Sequence, residues 1–174
     1  MPELKLHPDF QCGFVDAIGV QAERPRPGLL RLRFSVTGRI AGLRIPPPTE
    51  PRRKDDLWRR TCFEAFLRPG PGPDYLELNL SLSGEWQAYS FEAPRSGRRE
   101  AAVPPPRIAT QSSASTFTLE AEIGGLPDGL WSLNLAAVIE EVDGRVCYWA
   151  LAHPAGAPDF HHPDCFALHL PPPA

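Results

Sequence analysis

Tyr75-Leu76-Glu77-Leu78-Asn79-Leu80-Ser81-Leu82 alternates strictly between polar and apolar side chains. Successive side chains of a strand point to opposite faces, so Leu76, Leu78, Leu80 and Leu82 form one core-facing row. Tyr75, Glu77, Asn79 and Ser81 form the other row. An aromatic ring beside a carboxylate, an amide and a hydroxyl suits a polar, ring-shaped ligand. The stretch before it repeats the pattern: over Thr61 to Leu67, Phe63, Ala65 and Leu67 share one side, and Cys62, Glu64 and Phe66 the other. Two neighbouring strands thus aim a carboxylate at one surface. The competing reading is an antiparallel sheet with one wet face, its glutamates paired across strands with Arg60 or Arg68.

The same alternation recurs along the chain. Strands are predicted over Phe14–Ala22, Leu29–Val36, Arg39–Ile45, Glu85–Phe91, Thr116–Ile123, Leu130–Val142, Arg145–His153 and Cys165–Leu170. Ser83-Gly84 and Asp143-Gly144 are turn signals that close two hairpins. The 22 prolines exclude long helices, and the runs Pro46–Pro48, Pro104–Pro106 and Pro171–Pro173 mark loops or the tail. Short strands with regular turn signals predict an all-β fold: a single antiparallel β-sandwich, jelly-roll-like, of about ten strands. One domain is expected over residues 1–174, its core at about 13–170 and a Pro-rich tail at 171–174.

Composition narrows the partners. Net charge is −3, so no basic face for nucleic acid is expected. No window reaches the length of a membrane span, and the opening residues lack a positive leader followed by an apolar run. A soluble, cytoplasmic protein is the expectation, and nothing in the pattern sets its oligomeric state. Cys12, Cys62, Cys147 and Cys165 are scattered, form no CxxC pair and are read as reduced thiols.

Trp58, Arg60, Glu64, Tyr75, Glu77 and Asn79 are the first candidate ligand-binding group. Rings stack on sugar C–H faces while carboxylates, amides and guanidinium groups take the hydroxyls. A second group is His153 with the loop Asp159-Phe160-His161-His162-Pro163-Asp164-Cys165. His161, His162 and Asp164 are candidate metal ligands by residue type, although their spacing matches no finger or zincin pattern. A loop histidine that closes over a ligand, or caps the sandwich end, is the preferred reading, with no metal. A third group is Trp131, Asn134, Tyr148 and Trp149 on the late hairpin, where core packing is the default for both tryptophans. No GxSxG elbow, P-loop or dinucleotide fingerprint is present, so no catalytic residue is assigned. Two carboxylates on adjacent strands could still serve as a glycosidase pair.

Leu57-Trp58, Cys62-Phe63-Glu64-Ala65-Phe66, Tyr75-Leu76-Glu77-Leu78-Asn79, Ser83-Gly84-Glu85-Trp86, Tyr89-Ser90-Phe91, Leu151-Ala152-His153-Pro154 and Pro158-Asp159-Phe160-His161 together resemble DOMON-like domains. The likeness is to the bacterial branch related to family nine carbohydrate-binding modules, and it covers about Leu29 to Leu170. It implies a ligand-binding β-sandwich whose superfamily takes sugars or haem. By that resemblance Trp58, Glu64, Glu77, Asn79 and Arg95 would hold a saccharide or other small polar ligand. No cofactor is expected on this reading. The alternatives are a haem-binding electron-transfer domain, with His153, His161 or His162 as axial ligand, and an interaction module without a small ligand. Calcium sites belong to the branch, and no calcium loop matches here residue by residue.

Overall fold

Alternation becomes pairing in the computed structural model, which describes residues 1–173. The chain runs β1 (Lys5–Leu6), β2 (Val15–Arg26), β3 (Leu29–Gly38), β4 (Cys62–Pro69), β5 (Tyr75–Leu80), β6 (Trp86–Phe91), β7 (Arg99–Glu100), β8 (Arg107–Ser112), β9 (Thr116–Ile123), β10 (Trp131–Glu140), β11 (Val146–Ala150) and β12 (Leu168–Leu170). A four-stranded antiparallel sheet has the order β2-β3-β9-β8. The larger sheet has eight strands in the order β1-β11-β10-β4-β5-β6-β7, with β12 joined to the start of β10. The expected all-β sandwich is therefore the fold, with twelve strands rather than about ten.

Its core is the meeting of two leucine-rich and phenylalanine-rich rows. Ile18, Val20, Leu32, Phe34, Phe117 and Leu119 from the small sheet pack on Phe63, Ala65, Leu67, Leu78, Leu80, Leu133 and Leu135 from the large one. Trp131 sits at the end of that core, fully buried, its indole N–H donating to the Pro127 carbonyl at 2.8 Å. The Arg24 guanidinium covers its ring at 3.7 Å. Pro25 is tolerated in β2 because β2 is an edge strand.

Two strand expectations need correction, and three strands were not expected at all. Arg39–Ile45 is not a strand: Ile40–Gly42 forms a short 3-10 turn, and only Leu43 makes a bridge, to Glu141. Here the chain crosses from one sheet to the other, its Gly38 and Ile40 N–H groups bonded to Ser115 and Ala114 carbonyls. Cys165 belongs to a second 3-10 turn, Pro163–Cys165, opened by proline, and β12 begins only at Leu168. Lys5–Leu6 and Arg99–Glu100 are too short to show a period, and Arg107–Ser112 is almost wholly exposed, so none of the three carries an apolar row.

Gly38 is the tightest backbone position of this crossover. Its φ is +148°, and a Cβ there would collide with the Phe14 carbonyl oxygen, which is backbone and cannot swing away. Gly38→Ala is expected to cost about 1–3 kcal/mol, the range for overpacking a close contact, and to lower the denaturant midpoint measured by circular dichroism.

The outer face of the large sheet is not simply wet. Phe66, Tyr75, Tyr89, Phe91, Ala136, Val138 and Ala150 form a second apolar cluster there, roofed by Phe160 and Phe166 from the segment after β11. Every residue of β10 is consequently buried, on both faces. Asn134 secures the roof, its amide N–H donating to the Phe160 carbonyl at 3.0 Å.

Candidate functional site

The roof covers only part of the sheet, and a cleft of about 520 Å³ opens beside it. Register places its floor. Glu64 stands opposite Asn79 on β5 and Ala136 on β10, while Glu77 stands opposite Phe66 on β4 and Tyr89 on β6. The two carboxylates are thus diagonal neighbours on one face, as the alternation predicts. Both are buried, Glu64 at 2% exposure and Glu77 at 6%. Neither is paired with Arg60 or Arg68. Arg60 bonds Glu140 at 3.0 Å, and Arg68 lies over the Phe166 ring.

The walls come from elements far apart in sequence. Phe10, Tyr148 and Phe160 form one side, Tyr89 and Phe91 the other, with Trp58, Arg95 and Arg98 at the mouth. Trp58 rides on the 3-10 turn Leu57–Arg59 and is 43% exposed, against a default of burial for a tryptophan. That turn is tied down by Asp55, which accepts hydrogen bonds from the Tyr89 hydroxyl and from Gln87 Nε2. The Tyr89 bond, followed by that from Gln87, holds the Asp55 carboxyl below its usual range. Asp56 before Trp58 and Arg95 at the opposite rim both have left-handed backbone, with φ of 61° and 57°. Strain of this kind persists where surrounding bonds fix it. Around Arg95 those bonds are its N–H to the Tyr75 hydroxyl and its guanidinium to Asp159, at 3.0 Å.

His161 closes the floor. Its Nδ1 is 2.7 Å from the Tyr75 hydroxyl, and its Nε2 is 3.7 Å from Glu77 Oε2. The Tyr75 oxygen also accepts the Arg95 N–H; with the Tyr75 hydroxyl donating to Nδ1, the imidazole hydrogen sits on Nε2 and faces Glu77. Burial, with Arg95 nearby, lowers the His161 pKa to about 4, so the ring is neutral.

The carboxylates shift the other way. Burial first, then the neighbouring Glu77 charge, pushes Glu64 well above the usual carboxylate range, with Arg95 opposing. Burial also raises Glu77, offset by the Asn79 amide donating at 3.0 Å and by Arg98 and Arg95. Two adjacent buried carboxylates disfavour a double charge, so the pair retains a proton more readily than isolated glutamates do. Glu64 Oε1 is buried without a hydrogen-bond partner.

Of the sequence candidates, Trp58, Glu64, Glu77, Arg95 and His161 meet in this cleft. Tyr75 and Asn79 stand behind it, buried, orienting His161 and Glu77. Arg60 faces a different depression, near Arg44 and Glu140. His162 turns away and caps the Pro163–Cys165 turn, accepting from the Asp164 N–H, so His161 and His162 do not face one centre. Asn134 and Trp149 lie on opposite faces, since Trp149 pairs with Ala137 and belongs to the inner core. Phe10, Tyr89, Phe91, Arg98, Tyr148 and Phe160 were not identifiable as wall residues from alternation. For Tyr89 and Phe91 a signal existed: they share the β6 face opposite Glu77 and Tyr75.

A second depression, of about 480 Å³, lies on the outer face of the small sheet. It is a trough between cross-strand ion pairs, Arg31–Glu122 at 2.6 Å and Arg33–Glu120 at 3.3 Å, whose charges satisfy one another.

No protein-family model matches the chain, and no curated protein matches it. Solved structures do. A Bacteroides uniformis protein provisionally described as carbohydrate-binding is 14% identical, with 94% of this chain and 82% of that one covered, at a TM-score of 0.69. A family nine carbohydrate-binding module from Caldicellulosiruptor kristjanssonii, solved with glucose, is 11% identical over 84% of this chain and 85% of that one, at a TM-score of 0.43. The first likeness shows a shared fold.

Proposed function

We propose that this chain is a non-catalytic binding protein that receives one ring of a saccharide in the cleft over Glu64 and Glu77. The observation that carries this reading is the pair of buried carboxylates, Glu64 and Glu77, that line an aromatic-walled cleft, Glu64 Oε1 having no hydrogen-bond partner. Leaving such a group unsatisfied costs about 1–3 kcal/mol, and a ligand hydroxyl would recover it. The cleft volume falls in the range of small-molecule sites, about 300–1,000 Å³.

The chemistry matches a polyol ring. A carboxylic acid beside a carboxylate offers one donor and several acceptors, which is what two adjacent hydroxyls require. Trp58, Phe91 and Tyr148 supply apolar surface for ring C–H groups, and Arg95 and Arg98 add donors at the mouth. The resemblance to DOMON-like domains and to family nine carbohydrate-binding modules, and the shared fold with a protein provisionally described as carbohydrate-binding, agree with this reading.

Haem fits the residues less well. His161 has both ring nitrogens directed at protein groups, and its ring is wedged edge-on against Phe66 and Phe91 at 5.0 and 5.1 Å. An axial ligand needs a free nitrogen facing a largely apolar slot, and here the slot has two carboxylates for a floor. Calcium is held chiefly by clustered carboxylates, and no three carboxylates converge among the described residues.

The test is calorimetric titration of mono- and disaccharides into wild type and Glu77→Ala. The substitution is expected to weaken binding by about 1–3 kcal/mol, with the melting temperature little changed, and no reducing ends released on incubation with oligosaccharides. A variant that melts earlier and binds as before would make Glu77 a structural residue and refute the reading.

A further inference from the structure

At the other end of the β10–β11 hairpin, the N-terminal segment comes back onto the sheet and brings Cys12 to Cys147 and Glu141. One ligand atom from each lies within 4.8 Å of the others. Glu141 and Cys147 are wholly buried, and Cys12 is half-buried. Cys147 Sγ donates to the Gln11 carbonyl at 3.2 Å, which holds it beside the backbone of the neighbouring Cys12. We propose that Cys12, Cys147 and Glu141 hold a zinc-class divalent cation that fastens the N-terminal segment to the hairpin.

Glu141 supplies the independent observation. Its Oε1 is fully used, accepting the N–H groups of Gly13 and Phe14 at 2.7 and 2.9 Å. Its Oε2 is buried and makes no hydrogen bond, in a carboxylate that lies beside both thiols. The nearest cation is Arg145, 3.7 Å away on a side chain that is 46% exposed. A buried carboxylate oxygen held in place by two bonds at its sister atom, and left bare itself, is a preset ligand. Its cost to the fold is recovered when a cation occupies the centre.

Donor type selects the cation. Two sulfurs and one carboxylate suit borderline-soft zinc rather than calcium or magnesium, which take oxygen alone. With Zn–S near 2.3 Å, a tetrahedral site sets ligand atoms about 3.8 Å apart, so the cluster needs only a small contraction. Binding releases both thiol protons to solvent. Two thiolates, a carboxylate and a dication leave one negative charge, which Arg145 balances. Solvent reaches the site on the Cys12 side and supplies the fourth ligand as water. The consequence reaches the cleft: Phe10, two residues before Cys12, packs edge-on against Tyr148 at 4.9 Å, and both line the cleft wall.

The experiment uses tag-free, chelator-stripped, reduced full-length protein, dialysed against zinc and separately titrated with cobalt. One zinc per chain, a melting temperature that rises with zinc concentration, and a thiolate-to-cobalt charge-transfer band are expected. Cys12→Ser and Cys147→Ser each remove about half of the band or more, and the double variant abolishes it. Glu141→Gln keeps an oxygen for the Gly13 and Phe14 N–H groups yet loses zinc affinity by more than about tenfold, the loss that outer-shell partners alone produce. Cys12 is half exposed, so its serine variant folds even where a buried substitution does not. No zinc uptake, uptake without the thiolate band, or a band of undiminished intensity in Cys12→Ser overturns the proposal. Loss of two titratable thiols on air exposure, with no zinc uptake after reduction, replaces it with a disulfide.

Discussion

Phe63→Ala is expected to lower the unfolding free energy by about 3–5 kcal/mol, the range for removing a fully buried aromatic side chain. Phe63 is 1% exposed, and its ring stands 4.9 Å from Phe34 and 6.4 Å, stacked, from Phe117. Those rings belong to β3 and β9 in the opposing sheet, so Phe63 is the contact through which the two sheets meet at mid-core. Its neighbours are fixed by ladders on both sides, β4 pairing with β5 and with β10. They cannot close around the space that a methyl group would leave. The measurement is a urea titration: the midpoint falls while the slope stays constant if the two-state transition is preserved. A loss below about 1 kcal/mol would mean that the sheets slide together and refill the cavity.

Phe63 and Glu64 also show why the fold was so legible. Adjacent residues in a strand face opposite ways, so one dipeptide fixed both the core row and the site row. The same logic placed Leu78 and Leu80 inward and Glu77 and Asn79 outward without any knowledge of pairing. It failed where the backbone left the ladder. Arg39–Ile45 alternates as sequence, but Gly38 turns the chain across the sandwich, and the bonds of that segment go to Ser115, Ala114 and Glu140 carbonyls instead. Alternation is a local signal, and a crossover is decided by what lies at the far end.

The site divides along the same line. Glu64, Glu77 and Trp58 could be found because each sits on or beside a strand whose period is visible. Phe10, Arg98 and Phe160 could not, since loops bring them in from both ends of the chain. The outer cluster under Phe160 and Phe166 hid for a further reason. A strand buried on both faces, as β10 is, loses its contrast: Asn134, Ala136 and Val138 read as a modest face, yet all are covered. The Cys12–Glu141–Cys147 cluster was equally silent, because Cys12 lies more than a hundred residues before Glu141 and Cys147, and only the return of the N-terminal segment onto the hairpin brings it to them.

Glu64→Gln is expected to raise the melting temperature at about pH 8, because burial and the neighbouring Glu77 charge disfavour the Glu64 carboxylate and a neutral amide of the same shape escapes that penalty. The sign follows from the direction of the shifts. Glu64 and Glu77 have folded pKa values above the ordinary 4.5, so their contribution is fully present below about that pH and is lost as pH rises through the raised values. His161 acts in the opposite sense. Its folded value of about 4 lies below the ordinary 6.5, so its contribution is complete above 6.5 and is lost as pH falls through 4. The acid limb of the stability curve therefore carries a histidine component, and the two carboxylates contribute to the loss as pH rises, ahead of the buried tyrosines and thiols whose values are also raised. Glu64→Gln should flatten the alkaline limb and leave the acid limb in place, as read by melting temperature across the pH range. A variant whose curve stays parallel to wild type would show that Glu64 is no more protonated in the folded state than in the unfolded one. The same substitution should weaken saccharide binding, since the amide gives up one acceptor oxygen facing the cleft. A residue that costs stability at neutral pH and contributes affinity is the pattern of a binding site maintained against the interest of the fold, and a purely structural glutamate would show neither half of it.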